Sequence, residues 1–410
     1  MYKKRLIEKK VLALAQHFKA VLIVGARQVG KSTMLKKLFP TYQHITFDPV
    51  QDLYGARQDP DLFLSNFPSP IILDEIQYVP ELLPALKRRL DQVGQIGDYL
   101  LTGSQTFSML KNVAESLAGR VAIVQLNGMT LHEIEERAEP HWLASYLEDP
   151  YSFAQKMRAL KIEKNYSLAY KCIWQGGFPG LLSLPSDLAP SFFSSYVQTY
   201  VERDVRLLEN IRDLAQFGRF LAIVATLSAQ EINHAHLARE IDITPATAQR
   251  WLHLIQYSYL WSELASLSGN TLKRITKKGK GIFADTGLAC YLQRLSSPEA
   301  LAGHPLFGAL FETYCVTTLQ AVANSLLNPP AFYHWRVTSG PEVDCVLERD
   351  GMLYPIEFKS SAHVTPAHAK NIDVFSADHS HKKIAPGIIL YAGNEIYPLG
   401  NRTIAVPFWL

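Results

Sequence analysis

Short apolar runs alternate with amphipathic stretches along the N-terminal third of the chain. The run AVLIV at residues 20–24 has the length and continuous apolar character of a buried strand, and residues 31–39 have the pattern of a helix. Similar patterns predict strands at residues 44–47, 70–73, 98–102 and 121–126, and a helix at residues 80–92. Buried strands that alternate with helices are typical of a parallel sheet with helices on both faces. The pattern therefore predicts an α/β domain of this kind at the N-terminus.

The hydrophobic pattern changes along the rest of the chain. Residues 138–210 predict a mostly helical lid or linker with a glycine-rich turn at residues 176–180, and residues 211–276 predict three helices and a short strand pair. Strand patterns return at residues 332–337, 342–348, 353–358 and 385–391, after an amphipathic helix at residues 306–326. We therefore predict an α/β multidomain chain whose domains are residues 1–137, 138–210, 211–276 and 277–410.

Length and composition agree with several folded domains. A chain of 410 residues is too long for one ordinary domain, and 48% hydrophobic with 19% charged residues excludes a disordered chain and a coiled coil. The net charge of +3 gives no overall field that attracts nucleic acid, so such contact requires local patches.

Cysteine usage and apolar run lengths bear on the cellular location. The four cysteines are far apart and form no CxxC pair, which argues against a structural zinc site and a disulfide framework. The first ten residues do not resemble a secretory signal, and the apolar runs are too short to span a membrane. We expect a cytoplasmic protein with reduced core thiols and no membrane partner.

Residues 25–32 read GARQVGKS, a complete match to the P-loop pattern GxxxxGK[ST]. The glycines allow backbone N–H groups to surround phosphates, and the helix that follows adds the positive end of its dipole. We expect Lys31 to reach the β- and γ-phosphates of ATP and the Ser32 hydroxyl to bind Mg²⁺. The predicted nucleotide contacts are Gly25, Ala26, Arg27, Gln28, Val29, Gly30, Lys31, Ser32 and Thr33.

A second apolar strand ends in two carboxylates, Asp74 and Glu75, within the sequence IILDE. Beside a P-loop, Asp74 is expected to hold the Mg²⁺ ion through its water shell. Glu75 is expected to orient or deprotonate the attacking water. The alternative is a solvated turn at the end of a strand.

Two further side chains are candidates for the γ-phosphate. Ser104 follows the strand at residues 98–102 and could sense the phosphate between the other strand ends; alternatively it caps the next helix. Arg120 could supply positive charge to a γ-phosphate on a neighbouring subunit of a homo-oligomer; alternatively it is a surface arginine.

Residues 236–257 have the pattern of a helix-turn-helix, with the turn at residues 242–244 and Pro245 at the first position of the second helix. A β-wing is expected at residues 260–276. The winged helix would place its second helix in a major groove of DNA and its wing on phosphates.

The outward face of this second helix is predicted to carry Thr247, Gln249 and Arg250. A local basic cluster follows, consisting of Lys273, Arg274, Lys277, Lys278 and Lys280. The alternative to DNA contact is a winged helix that packs against the ATPase domain.

The predicted hairpin at residues 342–358 contains a candidate metal site. Glu357 and Lys359 form an ExK pattern on one face of a strand, and Asp344 could join them from the paired strand. Glu312, on the preceding helix, could add a third carboxylate. Two carboxylates can hold a second divalent ion, Mg²⁺ or Mn²⁺, and the lysine can orient a water. The alternative is a folded relic or a salt-bridged sheet without chemistry.

These motifs together resemble the large prokaryotic group of AAA-type ATPases with an uncharacterised C-terminal domain. The motifs that carry the resemblance are GARQVGKS at residues 25–32, IILDEIQ at 71–77, LTGS at 101–104, LAGR at 117–120, GFPG at 177–180, YVERDV at 200–205, EVD at 342–344 and IEFK at 356–359. The resemblance implies a P-loop ATPase followed by a winged helix and a PD-(D/E)xK, restriction-endonuclease-like domain. It implies that Asp344, Glu357 and Lys359 form the nuclease-type triad, with Glu312 as a helper.

Two functional hypotheses follow. The first is an Mg²⁺-dependent ATPase coupled to a DNA-acting nuclease module. The second is an ATP-gated switch that binds DNA or a protein and whose nuclease-like domain is catalytically inactive.

Overall fold

A computed structural model describes residues 2–92, 94–104, 117–137, 141–159, 168–201, 211, 213–268, 278–337 and 340–410. The chain divides into two compact units. The first consists of Met1–Gly128, His253–Leu260 and Asn324–Leu327, and the second of Met129–Leu252, Trp261–Ala323 and Asn328–Leu410. Among the described residues, no helix is both long enough and apolar enough to cross a bilayer.

A parallel sheet forms the centre of the first unit. Its strands are β1 Ala20–Val24, β2 Gln43–Thr46, β3 Ile71–Asp74, β4 Tyr99–Gly103 and β5 Val121–Gln125. They pair in the order β2-β3-β4-β1-β5, and each pair is parallel. The predicted strands are confirmed to within a residue or two at their ends. Because the strands are parallel, the loop after β1 and the residues after β3 and β4 lie at the same edge of the sheet.

Helices alternate with these strands, as the apolar pattern predicts. They are α1 Glu8–Ala15, α2 Lys31–Leu38, α3 Pro60–Asn66 and α4 Leu82–Gln92. The strands β1, β3 and β4 are buried along their whole length, and the hydrophobic core includes residues from α3 and α4. Burial on both faces explains why these strands are continuous apolar runs and do not alternate with polar residues.

The second unit begins with mostly helical segments, as predicted for residues 138–210. In chain order the following helices are α5 Leu131–Ile134, α6 Trp142–Glu148, α7 Pro150–Arg158, α8 Leu168–Gln175, α9 Ala189–Tyr196, α10 Leu214–Thr226, α11 His234–Glu240, α12 Pro245–Tyr257, α13 Thr286–Leu292, α14 Phe307–Ser325 and α15 Lys370–Asp378. The last residues of the YVERDV motif, 202–205, lie outside the described residues.

The glycine-rich turn after α8 wraps a buried aspartate. The Asp285 carboxylate accepts a hydrogen bond from the backbone N–H of Gly177 at 2.7 Å and caps α13 by accepting another from Leu288 at 2.8 Å. Gly176 has φ 69°, and a β-carbon there would lie 2.3 Å from this carboxylate. Burial raises the pKa of Asp285 to about 6. The glycine motif therefore has a structural explanation in the second unit.

The predicted helix-turn-helix segment is helical where expected, in α11 and α12. The strands around it are β6 Gln230–Glu231, β7 Trp261–Ser266 and β8 Lys280–Phe283. β8 pairs antiparallel with both β6 and β7. The range predicted for the wing thus contains the strand β7, whose partner β8 lies beyond that range, and residues 269–277 lie outside the described residues.

Helices α10, α11 and α12 and strands β6, β7 and β8 form a three-helix segment. Its strands belong to the same sheet as the C-terminal strands. The remaining strands are β9 Ala331–Arg336, β10 Glu342–Arg349, β11 Met352–Lys359, β12 Lys383–Ile384, β13 Gly387–Tyr391, β14 Tyr397–Pro398 and β15 Thr403–Pro407. β7 pairs parallel with β9, so the strand order runs β14-β15-β13-β11-β10-β9-β7-β8-β6, with β12 beside β11. Residues on either side of position 277 thus share one sheet, a long-range pairing that hydrophobic periodicity does not report.

The predicted C-terminal hairpin is confirmed as β10 and β11. The two strands pair antiparallel, with Cys345 opposite Ile356. Asp350 (φ 53°) and Gly351 (φ 76°) form the turn. Two consecutive residues with positive φ are typical of the tight turns that match the twist of a hairpin.

Candidate functional site

The loop between β1 and α2 has the backbone geometry of a phosphate-binding loop. Gly25 has φ 146°, and a β-carbon there would lie 2.2 Å from the carbonyl oxygen of Leu126. Gly30, with φ 97°, precedes α2, and Gln28 has φ 61°. Glycine tolerates such angles without steric cost. Residues 25–33 therefore turn from a buried strand into a helix N-terminus, where N–H groups and the helix dipole favour an anion.

The Lys31 side chain is buried within this loop. Its ammonium donates hydrogen bonds to the carbonyl oxygens of Gly25 at 3.0 Å and Ala26 at 2.8 Å. These two backbone groups hold the ammonium at the loop. The loop therefore combines backbone donors with one positive side chain, as triphosphate binding requires.

Ser32 and Asp74 meet at the edge of the sheet. The Ser32 hydroxyl donates a hydrogen bond to the Asp74 carboxylate at 2.6 Å. Thr102 also donates to Asp74, and Thr46 donates to its other oxygen at 3.2 Å. Mg²⁺ prefers oxygen ligands and is usually held by one or two side chains together with substrate phosphates. This donor set fits Mg²⁺, and the two predicted magnesium residues are adjacent.

Glu75 is held by polar side chains from β4 and from the segment after β3. Its carboxylate accepts a hydrogen bond from the Ser104 hydroxyl at 3.0 Å and another from the Gln77 amide. Its backbone has φ 61° and donates an N–H to the Thr102 hydroxyl at 3.0 Å. The predicted γ-phosphate sensor, Ser104, therefore lies beside the predicted base.

Sequence reasoning missed several residues of this site. Thr102 bridges Asp74 and the backbone of Glu75. It stands two positions before Ser104, the predicted γ-phosphate sensor. His44 lies on β2 with its Nε2 3.6 Å from Asp74, and burial together with nearby Lys36 lowers the pKa of this imidazole. Strand pairing brings these residues together, and no local motif marks them.

Arg5 is another residue that sequence reasoning missed. This buried side chain donates hydrogen bonds to the carbonyl oxygen of Val29, in the phosphate-binding loop, at 2.8 Å and to that of Asn127, after β5, at 2.8 Å. It therefore ties the loop to the end of the adjacent strand. An isolated arginine before the first helix carries no sequence signal for this role.

Arg27 and Arg120 have polar partners in this unit. Arg27 donates a hydrogen bond to the Tyr78 hydroxyl. Arg120 forms two hydrogen bonds to the Asp91 carboxylate, at 2.5 and 3.0 Å. It precedes β5, whose first residue lies opposite Ala20, the first residue of β1. At about 3.3 Å per residue, the five-residue step from Ala20 to Gly25 places the start of β5, and Arg120 just before it, at least roughly 16 Å along the sheet from the loop that follows β1. The structure does not bring Arg120 to the phosphate-binding loop within one chain.

The predicted C-terminal residues Asp344, Glu357 and Lys359 do come together. The Lys359 ammonium lies 2.8 Å from the Glu357 carboxylate, and Asp344 accepts a hydrogen bond from the backbone N–H of Phe358 at 3.0 Å. Burial and the neighbouring Asp344 raise the pKa of Glu357 well above its ordinary value. Burial opposes ionisation of Asp344, but Lys280 and Lys359 outweigh it and lower the pKa of that carboxyl.

Glu312 joins this group through Lys280, which the sequence pattern places in the basic cluster. The Lys280 ammonium lies 2.7 Å from Glu312, 2.6 Å from Glu342 and 3.5 Å from Asp344, and only 4% of this lysine side chain is exposed. The interpretation of Lys280 as part of a surface cluster that contacts DNA phosphates is therefore wrong. Burial raises the pKa of Glu312 to about 8, with a further contribution from Asp344 that Lys280 opposes.

The predicted C-terminal metal ligands do not form a ready-made metal site. Across the described residues, no group of three or more histidine, cysteine, aspartate or glutamate side chains is arranged to hold a metal ion. Glu312, Asp344 and Glu357 are close, but ammonium groups lie among them. The other members of the predicted basic cluster, Lys273, Arg274 and Lys277, lie outside the described residues, and Lys278 is exposed.

Three family models match the chain. A model of the AAA domain matches residues 17–135, and two models of domains of unknown function, DUF8612 and DUF4143, match residues 167–299 and 307–410. Two curated relatives, uncharacterized proteins of Mycobacterium bovis and Mycobacterium tuberculosis, are each 29% identical over 389 residues, which is 94% of this chain and 79% of the relative.

Similar solved structures include a Walker-type ATPase of Pyrococcus abyssi, with 13% identity and a TM-score of 0.43 over 72% of this chain and 96% of that one. They also include the RuvB Holliday junction branch migration motor of Thermotoga maritima, with 16% identity and a TM-score of 0.32 over 63% of this chain and 89% of that one.

The AAA domain match agrees with the parallel sheet and the phosphate-binding loop. Residues 17–135 form a AAA-type P-loop ATPase-like domain.

Proposed function

We propose that the N-terminal domain binds ATP together with Mg²⁺ and hydrolyses it. The contact between Ser32 and Asp74 carries the proposal, because it joins the end of the phosphate-binding loop to the carboxylate after a second strand at 2.6 Å. A hydroxyl and a carboxylate at this distance can share one magnesium coordination sphere with a triphosphate.

Each residue of the site has a role that follows from its surroundings. The backbone N–H groups of residues 25–33 and the Lys31 ammonium bind the phosphates. Ser32 and Asp74 would hold Mg²⁺, which neutralises charge on the phosphate oxygens when it is bound. Glu75, fixed by Ser104 and Gln77, accepts a proton from the attacking water.

Titration calorimetry and a phosphate-release assay test this proposal. Lys31→Ala should abolish Mg²⁺-dependent ATP binding or turnover. Lys37→Ala, on the exposed side of the same helix, should leave both unchanged. A fully active Lys31→Ala protein would exclude the assignment, as would wild-type protein that shows no heat with any purine triphosphate.

We further propose that the three-helix segment and its strands act as a winged helix that contacts DNA. Support comes from the order α10, β6, α11, α12, β7 and β8, and from Gln249 and Arg250, which are exposed on α12. Because Lys280 is buried, the basic cluster offers Lys273, Arg274, Lys277 and Lys278 for phosphate contacts. Four such contacts predict a log–log salt slope of about −3.6. A flat salt dependence of DNA binding would exclude this partner.

For the C-terminal domain, we propose that the nuclease-like domain is catalytically inactive and that the protein is an ATP-gated switch. Support comes from the lysine contacts of Glu312, Glu357 and Asp344. The wild-type protein should not nick plasmid or single-stranded DNA with Mg²⁺ or Mn²⁺. If the wild-type protein nicks DNA and Glu357→Gln or Lys359→Ala abolishes the nicking, the domain is an active nuclease. Asp344, Glu357 and Lys359 are then its catalytic residues, and a second divalent ion is its cofactor.

A further inference from the structure

The C-terminal carboxylates surround a lysine that comes from the neighbouring part of the sheet. Glu312 lies on α14, while Glu342 and Asp344 lie on β10, two positions apart on one face of the strand. The Lys280 ammonium, from β8, is within 2.6 to 3.5 Å of all three. The Lys280 ammonium, a cation that belongs to the protein itself, therefore occupies the point on which these carboxylates converge.

The contacts do not fit the divalent ion that the nuclease-like resemblance implies. A divalent metal requires oxygen ligands at about 2.0–2.6 Å around one shared point. The Lys280 nitrogen lies 3.5 Å from the Asp344 carboxylate, on the side of Asp344 that faces Glu312 and Glu342. On the other side, the Glu357 carboxylate is paired with Lys359 at 2.8 Å. A metal at the centre of Glu312, Glu342 and Asp344 would collide with the lysine.

The sheet holds Lys280 in this position. Lys280 lies within β8, opposite Leu264 of β7 and Glu231 of β6. β7 pairs parallel with β9, and β9 pairs with β10, which carries Glu342 and Asp344. Main-chain pairing therefore fixes the backbone of β8, and the Lys280 side chain reaches the carboxylates from this fixed strand.

We propose that Lys280 is the resident cation of this carboxylate cluster. It takes the place of a divalent metal and ties the strands of the three-helix segment to the C-terminal domain. The cluster in the native protein is therefore an internal ion-pair junction that binds no divalent metal, and loss of the lysine opens a divalent cation site. This inference does not depend on ATP hydrolysis at the N-terminal domain.

Manganese titration without nucleotide tests the proposal on the full-length chain. Electron paramagnetic resonance counts free and bound Mn²⁺, and the melting temperature reports stabilisation. Wild type and the exposed-lysine control Lys278→Ala should bind no Mn²⁺ in the C-terminal cluster. Lys280→Ala should gain one nucleotide-independent Mn²⁺ and should melt at a higher temperature when Mn²⁺ is added. The double variant Lys280→Ala with Glu312→Gln should lose this gain.

Two results would overturn the proposal. One is nucleotide-independent Mn²⁺ binding by the wild type that Asp344→Asn or Glu312→Gln removes, because the metal and the lysine would then coexist. The other is a folded Lys280→Ala protein that gains no Mn²⁺. If Lys280→Ala does not fold, the wild-type titration decides: a Mn²⁺ stoichiometry that Glu312→Gln and Asp344→Asn leave unchanged supports the resident lysine.

Discussion

The phosphate-binding site and the C-terminal cluster contain the same kinds of side chain and satisfy them in opposite ways. In the first, Asp74 accepts hydrogen bonds from the hydroxyls of Ser32, Thr46 and Thr102. In the second, Asp344 lies beside Lys280. Hydroxyl partners orient a carboxylate without cancelling its charge, whereas an ammonium partner neutralises it.

The lysines differ in the same way. Lys31 donates to the backbone carbonyls of Gly25 and Ala26 in the phosphate-binding loop. Lys280 and Lys359 are paired with carboxylates of their own cluster. The partners of the carboxylates and lysines therefore distinguish the two sites, although the residue types are the same.

The largest expected effect concerns Glu75, which has hydroxyl and amide partners. Glu75→Gln keeps an acceptor but removes the base, so ATP turnover should fall by roughly 100- to 10,000-fold. ATP affinity should change little, which calorimetry measures beside phosphate release. Glu81→Gln, exposed on the following segment, is the matched control. Undiminished turnover in Glu75→Gln would assign proton transfer to another group and would weaken the contrast between the two sites.

Removal of the resident lysine should come next. Lys280→Met leaves buried carboxylates without their cation, and breaking a buried ion pair from one side costs about 3–5 kcal/mol of the free energy of unfolding. Urea unfolding at neutral pH measures this loss. Lys278→Met, two residues earlier and exposed, should change stability by less than about 0.5 kcal/mol. Equal stability of the two variants would show that Lys280 contributes no net stability to the cluster.

A smaller effect is expected at Arg5, which supports the phosphate-binding loop from behind. Arg5→Ala removes hydrogen bonds to the carbonyl oxygens of Val29 and Asn127. The less constrained loop should bind ATP about tenfold more weakly, which corresponds to about 1.4 kcal/mol. Lys4→Ala, at the exposed neighbouring position, is the control for calorimetry. Unchanged affinity in Arg5→Ala would limit this residue to a structural role.

The smallest effect is expected at Arg120, which pairs with exposed Asp91 at the other edge of the sheet. Arg120→Ala should leave turnover within about twofold, because exposed ion pairs contribute little. Asp91→Ala should behave in the same way. Turnover that rises with protein concentration in the wild type and is lost in Arg120→Ala would instead support action on a neighbouring subunit of a homo-oligomer.

Local patterns were sufficient to predict the residues that meet at the end of the phosphate-binding loop. The phosphate-binding loop is a contiguous segment, and Asp74 with Glu75 ends an apolar strand, so residue type and spacing alone predicted both. The bounds of β1, β3 and β4 followed from continuous apolar runs because both faces of these strands are buried. The hairpin of β10 and β11 followed from a turn that requires positive φ.

Contacts between distant segments could not be predicted from the sequence. Thr102 and His44 join the site because strands separated along the chain pair side by side, and Arg5 reaches it from the segment before α1. Lys280 was interpreted as a DNA contact because it ends a run of basic residues, and such a run usually indicates a solvated surface. Its burial depends on the pairing of β7 with β9, which brings β8 near carboxylates that lie 32 and 64 residues further along the chain.

The sequence by itself determined the chemistry available to this protein: a loop that can surround phosphates, a pair of carboxylates beside it, and a second acidic group with lysines near the C-terminus. Tertiary structure alone decided which groups contact each of these charges. The physical reason is that the energy of a buried charge depends on the groups within a few ångströms, and main-chain pairing between distant strands chooses those groups.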